Sequence, residues 1–546
     1  MNSSTTKSYT LGQLRTEFER QIFAIPALQR EFVWDKKKAV NLIDSIYNNY
    51  PIGSAMIWET DKSYQLRQHQ HALPPYDPTK NKTINFIIDG QQRLSVLYNI
   101  LNGTEISNAN GQRINFKKIY FNTAKDAESC FVYLQRTENK ELISVFEILN
   151  RPHRTLRKRY NQRQFRLIED CRKKIFNYKF HLVMFKSKDI NSVKQTFIRI
   201  NSLGMRVSAA DRAFARATNV DLRTVIKDAK ARFANGFNSI PEENLLIIFS
   251  LLDGIQDLGD RAIDRFIKKI ENGTISEKEF HKLWKKIDKC IGKAIDHLQH
   301  FLGVYNFSLL PSYNMVTMLS CFYYYNNGHN ANTAQRQQIK RWFWNTSLAS
   351  RYSGAGYQKN ILNDLAYFKD LAHRPNKKFV IEEKTELYQL KHLDYRRKST
   401  ISDAYFILLA LNNPRYLDIG EKIPIVHHSA KSNRKDKHHI FPKNVLIRRG
   451  FKAKDFNSIL NICYINAEQN QSIGGSEYPF QYLQQYRRKR FFSTVMKSHL
   501  IPCNSNSSIW TNSKNSYKSF ILERMNMICK AFEEQAGTKK ELFNYK

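Results

Sequence analysis

Cysteine is scarce in this chain and is never closely spaced. Seven cysteines occur among 546 residues, and no two of them form a Cys-x-x-Cys pair. An odd and scattered set excludes a disulfide framework and a zinc knuckle, and it favours a reduced compartment. The pattern is therefore typical of a cytoplasmic protein.

Long apolar runs are also lacking. The most apolar stretch, "LLIIFSLLDGI" from Leu245, is half the roughly 20 residues that a membrane-spanning helix needs. The opening residues, "MNSSTTKSYTLGQL", contain no apolar core of the kind found in signal peptides. The sequence therefore predicts no membrane partner.

Acidic residues are few compared with basic ones. The chain has 49 Asp and Glu against 87 Lys and Arg, a formal net charge of +38. So large an excess indicates a polyanionic partner, with nucleic acid well ahead of an anionic membrane surface. Two exposed-looking basic runs, "RPHRTLRKRYNQRQFR" and "YRRKR", are the candidate backbone contacts. The candidate DNA-binding residues are Arg154, Arg157, Lys158, Arg487, Arg488 and Arg490.

The pattern of apolar residues predicts a mixed α/β, helix-rich protein with more than one domain. Residues 1–220 alternate short helices and strands, residues 221–400 are mainly helical, and residues 401–546 form a loop-rich third part that ends in helices. The strand "INFIIDG" runs directly into the helix "QQRLSVLYNILNG". The apolar stripe from Trp284 to Leu302 is a core face and carries no function.

The segment "KDKHHIFPKNVL" (435–446) places two histidines side by side in the third part. Phosphodiester cleavage needs a base that works near neutral pH, which histidine supplies, and a divalent cation that offsets the charge developing on the phosphate. A strand, "ILNICYI", and a helix start, "NAEQNQSI", follow. This order of elements could bring His439 and Asn470 together around one phosphate.

These residues resemble the HNH, or ββα-metal, nucleases. The resemblance implies that His439 is the general base, that His438 and Asn470 are metal ligands, and that Asn461 braces the base through backbone contacts. The expected metal is magnesium or manganese. His438 stands where the family often has Asp, and because an imidazole is a softer ligand than a carboxylate, nickel and zinc become alternatives. Asp436 is an alternative ligand if the register differs.

A second set of motifs lies near the N-terminus: "IPALQREFVWD" and "FIIDGQQRLSVL". The free N–H groups at a strand-to-helix junction favour an anion, and Arg93 could grip a phosphate while Asp89 orients water or a hydrated metal. The alternative is a helix cap with surface amides.

Gln29, Arg30, Trp34 and the "DGQQR" run resemble the ParB-like N-terminal domain of the GmrSD-type restriction proteins. "FIRINSLGMRVSAAD" (197–211) is similar to that family's third motif. The resemblance implies a ParB-like α+β domain that senses DNA and hydrolyses a nucleoside triphosphate, with Asp89 and Arg93 as catalytic residues. The residues implied to bind nucleotide are Gln29, Arg30, Asp89, Gly90, Gln91, Gln92, Arg93, Arg199 and Asn201.

The sequence as a whole thus favours a metal-dependent endonuclease of phage defence that cuts modified DNA, with a ParB-like domain first, a helical middle and an HNH domain last. The alternative is a nucleotide-gated DNA-binding regulator whose HNH segment is vestigial. An RNA nuclease also stays open, as does assembly into a homo-oligomer. The target modification and the nucleotide are not encoded in any motif.

Overall fold

The computed structural model divides into two compact units, residues 1–218 and 219–546, and each is described by itself. It describes residues 3–26, 29, 31–61, 72–77, 79–109, 111–124, 129–187, 189, 192–193, 196, 208–217, 220–233, 236–354, 356–381, 387–424, 437–464, 477–513 and 515–537. The protein is mixed α/β and helix-rich, as the sequence predicts. No helix within these ranges is both long and apolar enough to cross a membrane.

The first unit is built around a five-stranded sheet in the order β1-β10-β3-β4-β2. β10 pairs antiparallel with β1 and parallel with β3, while β4 pairs antiparallel with β3 and parallel with β2. These five strands are β1 Ser3–Thr10, β2 Phe23–Ala24, β3 Ala55–Asp61, β4 Thr83–Asp89 and β10 Lys179–Lys186. Smaller sheets are formed by β5 Glu105–Ser107 with β6 Arg113–Asn115, and by β7 Ile119–Asn122 with β8 Phe131–Tyr133 and β9 Leu142–Ser144.

Helices pack against this sheet through apolar faces that the sequence spacing predicts. α2 buries Leu42, Ile43 and Ile46, and its N-terminus is capped by Asp35, whose carboxylate accepts from Lys38 N. The helices of the unit are α1 Leu11–Glu19, α2 Lys36–Tyr47, α3 Gln91–Asn102, α4 Val145–Asn150, α5 His153–Arg159, α6 Gln162–Asn177 and α7 Ala209–Arg216. The basic run from Arg151 forms two helices, because Asn161 caps a new one by accepting from Gln164 N.

The second unit is mainly helical. Its longest helix begins at a capping box in which Ser276 and Glu279 bond each other's backbone N–H. The helices are α8 Leu222–Arg232, α9 Glu242–Leu252, α10 Asp260–Glu271, α11 Glu277–His300, α12 Asn314–Tyr325, α13 Thr333–Leu348, α14 Tyr357–His373, α15 Thr400–Leu411, α16 Lys443–Arg448, α17 Ala453–Phe456, α18 Pro479–Arg487, α19 Phe492–Ser498 and α20 Ser516–Ala536. One small sheet pairs β11 Lys437–His439 with β12 Ile462–Tyr464.

The helical middle and the C-terminal segment share contacts within this unit. Trp344 on α13 packs against Phe532 on α20, with ring centroids 5.8 Å apart. The Asn345 amide also donates to the carbonyl of Ala536 at 3.0 Å. The boundary after residue 400 that the sequence suggests therefore falls inside a compact unit, and it stays a prediction as a functional division.

Candidate functional site

The "DGQQR" run occupies the turn between β4 and α3. Gly90 sits at the N-cap with a φ of 86°, a left-handed conformation that glycine adopts without steric cost. A Cβ at this position would lie 2.5 Å from that of Ala55 on the neighbouring strand β3. The glycine is thus required both by its backbone angle and by the close approach of β3. Gly90 has no side chain to cap α3, so the first N–H groups of the helix lack the usual N-cap acceptor.

Asp89 and Arg93 form an ion pair at this turn. The Arg93 Nη2 lies 3.1 Å from Asp89 Oδ2, and its Nη1 donates to the carbonyl of Ile52 at 2.7 Å. The guanidinium is largely buried, with a side-chain exposure of 18% against 36% for the carboxylate. Both groups are held in place before any ligand arrives, and both remain accessible to one.

Two of the three glutamines predicted to bind nucleotide form hydrogen bonds with the backbone. The Gln29 amide donates to the carbonyls of Ile87 and Ile88 on β4, at 3.1 and 2.5 Å. Gln92 accepts from Val33 N at 2.9 Å and donates to Glu31 O at 3.1 Å. These contacts tie the segment that follows Arg30 to the start of α3, so direct contact of either side chain with nucleotide stays a prediction.

Gln91 differs from these two braces. Its side chain is buried, and within the described residues its Oε1 has no hydrogen-bond partner. Arg30, Arg199 and Asn201 lie outside the described residues. Of the third motif, Ser208 and Asp211 are described, and they cap α7: the Ser208 hydroxyl accepts from Asp211 N at 3.0 Å.

His439 ends strand β11 and is partly exposed. Its ring packs edge-on against Tyr395 with centroids 5.5 Å apart, and its Nε2 lies 3.2 Å from Asn457 Oδ1. An amide oxygen only accepts, so Nε2 carries the proton and the lone pair is on Nδ1. Burial lowers the pKa of His439 below its usual value, and Lys443 and Arg396 lower it further while the Asn457 hydrogen bond opposes them. The imidazole is therefore neutral at neutral pH, as a general base must be.

Asn461 is fully buried and uses its whole side chain on backbone. Its Nδ2 donates to the carbonyls of Phe441 and Phe456, both at 3.0 Å, and its Oδ1 accepts from Phe441 N at 2.9 Å. Its own carbonyl accepts from Ile440 N at 2.8 Å. This is the arrangement that a brace for the residues after His439 requires, and it leaves Asn461 no group for contact with substrate.

The structure does not bring His438 and His439 to one face. Adjacent strand residues point to opposite sides of a sheet. His438 is 6% exposed and lies among Tyr482, His499, Met496 and other mainly apolar residues. The His438 side chain would have to move out of these surroundings to coordinate a metal beside His439.

The other candidate ligands, Asn470 and Asp436, lie outside the described residues. Among the described residues no group of three His, Cys, Asp or Glu side chains could hold a metal ion. The metal assignment therefore stays a prediction.

Asn457 is a candidate site residue that no sequence motif predicts. It is buried beside a bridge between Asp394 and Ser458, and its carbonyl accepts from Tyr395 N at 3.1 Å. Asn457 lies four positions before Asn461. Its role depends on a contact with β11 that the neighbouring residues in the sequence do not encode. Nothing in the sequence pattern singled it out.

Both basic runs lie on the surface. Arg154, Arg157 and Lys158 are exposed on α5 and make no ion pair with any described residue, whereas Arg159 and Arg151 both pair with Glu147. Arg487, Arg488 and Arg490 are also exposed, and the Arg487 guanidinium stacks on Trp510 at 4.5 Å. Contact with DNA stays a prediction for both runs.

Comparison with known proteins places the first unit in context. Residues 11–217 match the family model described as the GmrSD restriction endonuclease, N-terminal domain. The match runs from α1 to the end of α7 and includes Gln29 and the Asp89–Arg93 turn. It confirms the predicted resemblance for this part of the chain. The resemblance of the C-terminal segment to HNH nucleases stays a prediction.

A curated relative extends the likeness into the second unit. The protein MJ0686 of Methanocaldococcus jannaschii, described as uncharacterised, is 22% identical over 524 residues. The alignment covers 87% of this chain and 86% of the relative. The alignment therefore extends over parts of both units.

Proposed function

We propose that this protein is a DNA endonuclease of phage defence, with a first unit that senses DNA and hydrolyses a nucleoside triphosphate and a second unit that cuts. The match of residues 11–217 to a restriction endonuclease domain supports the defence role. The observation that carries the cutting role is the neutral, oriented imidazole of His439, whose Nε2 is fixed by Asn457. The target is double-stranded phage DNA that carries a modification.

In this proposal His439 takes a proton from the attacking water. Nδ1 has the lone pair, because the Nε2 proton is donated to Asn457, so Nδ1 is the atom that accepts. Asn461 holds the backbone of residues 440–441 and thereby the end of β11. The edge contact with Tyr395 restricts rotation of the ring. These contacts orient the base before the substrate binds.

A divalent cation is part of the proposal, with magnesium or manganese preferred over nickel or zinc. Bound, it would offset the charge that develops on the phosphate. The described residues alone do not form its site, so Asn470, with His438 or Asp436, is proposed to complete it.

The nucleotide phosphates are proposed to bind at the start of α3. Its uncapped N–H groups and the pre-oriented Arg93 are suited to an anion, and Asp89 is placed to position water. Gln91 is a further proposed contact at the same helix start, where its buried Oε1 would accept from a donor group of the nucleotide and not from its phosphates. Which nucleotide binds is open, as is assembly of two or more chains.

The second candidate is a nucleotide-gated DNA-binding regulator. One observation favours it: His438 is buried on the face opposite His439, so the paired-histidine site is not assembled among the described residues. A regulator would keep the fold of residues 437–464 without the chemistry.

One experiment separates these candidates. Purified protein is incubated with modified and unmodified phage DNA, with and without nucleoside triphosphate and divalent metal, and the DNA is resolved on gels. We expect metal-dependent cleavage of modified DNA that the His439→Ala variant loses. DNA binding without cleavage under all conditions would contradict the nuclease proposal and favour the regulator.

A further inference from the structure

A pocket with a mainly apolar lining opens at the end of α18, entirely within the second unit. It lies between α19, the loop at 501–510 and the exposed side of α20. Its walls combine an arginine and a lysine, amides, a carboxylate and apolar side chains. The lining residues used below are Arg487, Phe492, Cys503, Trp510, Glu523 and Asn526.

Trp510 is fixed in the wall of this pocket. Its indole N–H donates to the carbonyl of Asn504 at 3.0 Å. The Arg487 guanidinium lies 4.5 Å from one ring centroid of the indole, and Phe492 packs against it at 6.0 Å. An arginine plane next to a fixed aromatic ring is the type of surface on which nucleobases stack.

The polar groups of the pocket can bond the edge of a nucleobase. The carboxyl group of Glu523 accepts from the hydroxyls of Ser507 and Ser508, at 2.7 and 2.5 Å. Its oxygens can also accept from N–H groups on the edges of bases, such as N3–H of thymine or the exocyclic amino groups of the other bases. Asn526 and two further amides, Asn504 and Asn506, provide both donors and acceptors.

The pocket is connected rigidly to His439. The hydroxyl of Tyr482 on α18 donates to the carbonyl of Ile440, next to His439, at 2.8 Å. Five residues of the same helix, a rise of about 7.5 Å, separate Tyr482 from Arg487 in the pocket wall.

The opposite wall is fixed to the same strand pair. Arg524, adjacent to Glu523 on α20, is fully buried and donates to the carbonyls of Leu460 and Ile462 at 2.6 and 2.9 Å. Ile462 pairs directly with His439 across the two strands. Both walls of the pocket are therefore positioned relative to the proposed base.

We propose that this pocket holds one unstacked nucleobase of the DNA strand being cut, a few nucleotides from the scissile phosphate. Exposed Arg488 and Arg490 would contact the adjoining backbone, while Trp510, Arg487 and the amides contact the base. The inference rests on the proposed function, because it takes the substrate to be DNA cut at His439. It assigns the second unit a role in reading the substrate as well as in cutting it.

Alkylation of Cys503 tests this occupancy without cleavage. Cys503 lines the pocket and is partly exposed, and among the described cysteines only Cys130 of the first unit is also not buried. The full-length protein is treated with a maleimide in metal-free buffer, and mass spectrometry of peptides measures each thiol separately. The probes are an oligothymidylate of about ten nucleotides and an abasic oligonucleotide with the same phosphates. Cys130 is the internal control.

We expect oligothymidylate to protect Cys503 but not Cys130, and the abasic probe to protect neither. Loss of base stacking should also weaken binding of the abasic probe by roughly 5- to 150-fold. Equal protection by both probes would show that the pocket holds phosphate and would overturn the inference. Failure of oligothymidylate to bind, or binding that leaves Cys503 reactive, would also overturn it. Continued cutting of phage DNA in that case would leave the proposed function intact.

A pair of variants provides an independent check. Arg487 and Arg488 are adjacent and both exposed, so Arg487→Gln and Arg488→Gln each remove one positive charge from the same place. Only Arg487 stacks on Trp510. We expect both variants to weaken the abasic probe equally. Only Arg487→Gln should also reduce the ratio of the affinity for oligothymidylate to the affinity for the abasic probe. Equal preference in the two variants would mean that Arg487 serves the backbone alone, which contradicts the proposal.

Discussion

The amide oxygen of Asn457 lies 3.2 Å from Nε2 of His439. This contact selects the tautomer, because an amide oxygen can only accept and the ring must then donate from Nε2. It leaves Nδ1 as the one nitrogen with a free lone pair. Asn457 therefore determines which nitrogen of the proposed base can accept a proton from water.

Removal of this contact should reduce cleavage without abolishing it. We expect Asn457→Ala to lower the rate of DNA cleavage about 10–100-fold, the usual effect of losing a residue that orients a catalytic histidine. His439→Ala should lower it by about 10²–10⁴-fold, since it removes the base itself. Single-turnover rates measure both, and DNA binding by filter retention should be unchanged. Equal losses in the two variants would show that Asn457 acts by more than orientation.

Asn461 should affect stability before chemistry. Asn461→Ala removes three hydrogen bonds from a fully buried site, at about 1 kcal/mol each. We expect the free energy of unfolding of the second unit to fall by about 3 kcal/mol. Asn444→Ala on the exposed face of α16 is the control and should change it by less than about 0.5 kcal/mol. If Asn461→Ala unfolds like the control, Asn461 is not the brace.

A change in the turn between β4 and α3 should remove nucleotide hydrolysis without affecting the His439 site. Asp89→Asn removes the carboxylate that pairs with Arg93 and positions water, so we expect loss of nucleotide hydrolysis, measured as phosphate release. Asp170→Asn removes an exposed ion-paired carboxylate of the same unit and should hydrolyse normally. The His439 site lies in the other unit and should be chemically unaffected. Normal nucleotide hydrolysis by the Asp89→Asn variant would mean that the "DGQQR" run is only a structural turn.

How much the sequence predicts depends on whether a feature is local. The helix at 36–47, the strand-to-turn at Asp89 and the strand "KHH" follow from spacing and turn residues nearby. The Asn457 contact does not, because it joins residues 18 apart through the fold. Strand geometry predicts that His438 and His439 point to opposite faces. The resemblance to HNH nucleases predicts one shared site for them, so the two expectations conflict. Glutamines that read as ligands, such as Gln29 and Gln92, bond distant backbone.

A buried histidine away from the site should make the second unit sensitive to acid. His297 is 1% exposed, its Nδ1 lies 2.8 Å from the Tyr323 hydroxyl, and its Nε2 has no described partner. Burial lowers its pKa from 6.5 to about 4. The unfolded chain therefore binds a proton that the folded state excludes, so stability is full above pH 6.5 and falls as the pH drops towards 4.

From pH 7 to pH 5 this one residue should cost about 2 kcal/mol of unfolding free energy. In the His297→Gln variant, denaturant unfolding at the two pH values should show that much less pH dependence. The exposed His329→Gln variant is the control and should keep the dependence of the wild type. An unchanged pH dependence in His297→Gln would mean that His297 is protonated in the folded protein.

The last prediction concerns the three cations of α5 that form no ion pair with any described residue, and it rests on counterion release. Each Lys or Arg that neutralises a phosphate adds about 0.9 to the slope of log affinity against log salt. Changing Arg154, Arg157 and Lys158 together to Gln should flatten that slope by roughly 2–3 units and weaken modified and unmodified DNA alike, since phosphates carry no sequence information. Arg151 and Arg159 already pair with Glu147, so changing these two to Gln should alter the slope less and serves as the control. A loss confined to modified DNA would place α5 in the sensing site. An unchanged slope would exclude α5 from the DNA path and leave Arg487, Arg488 and Arg490 as its candidate contacts.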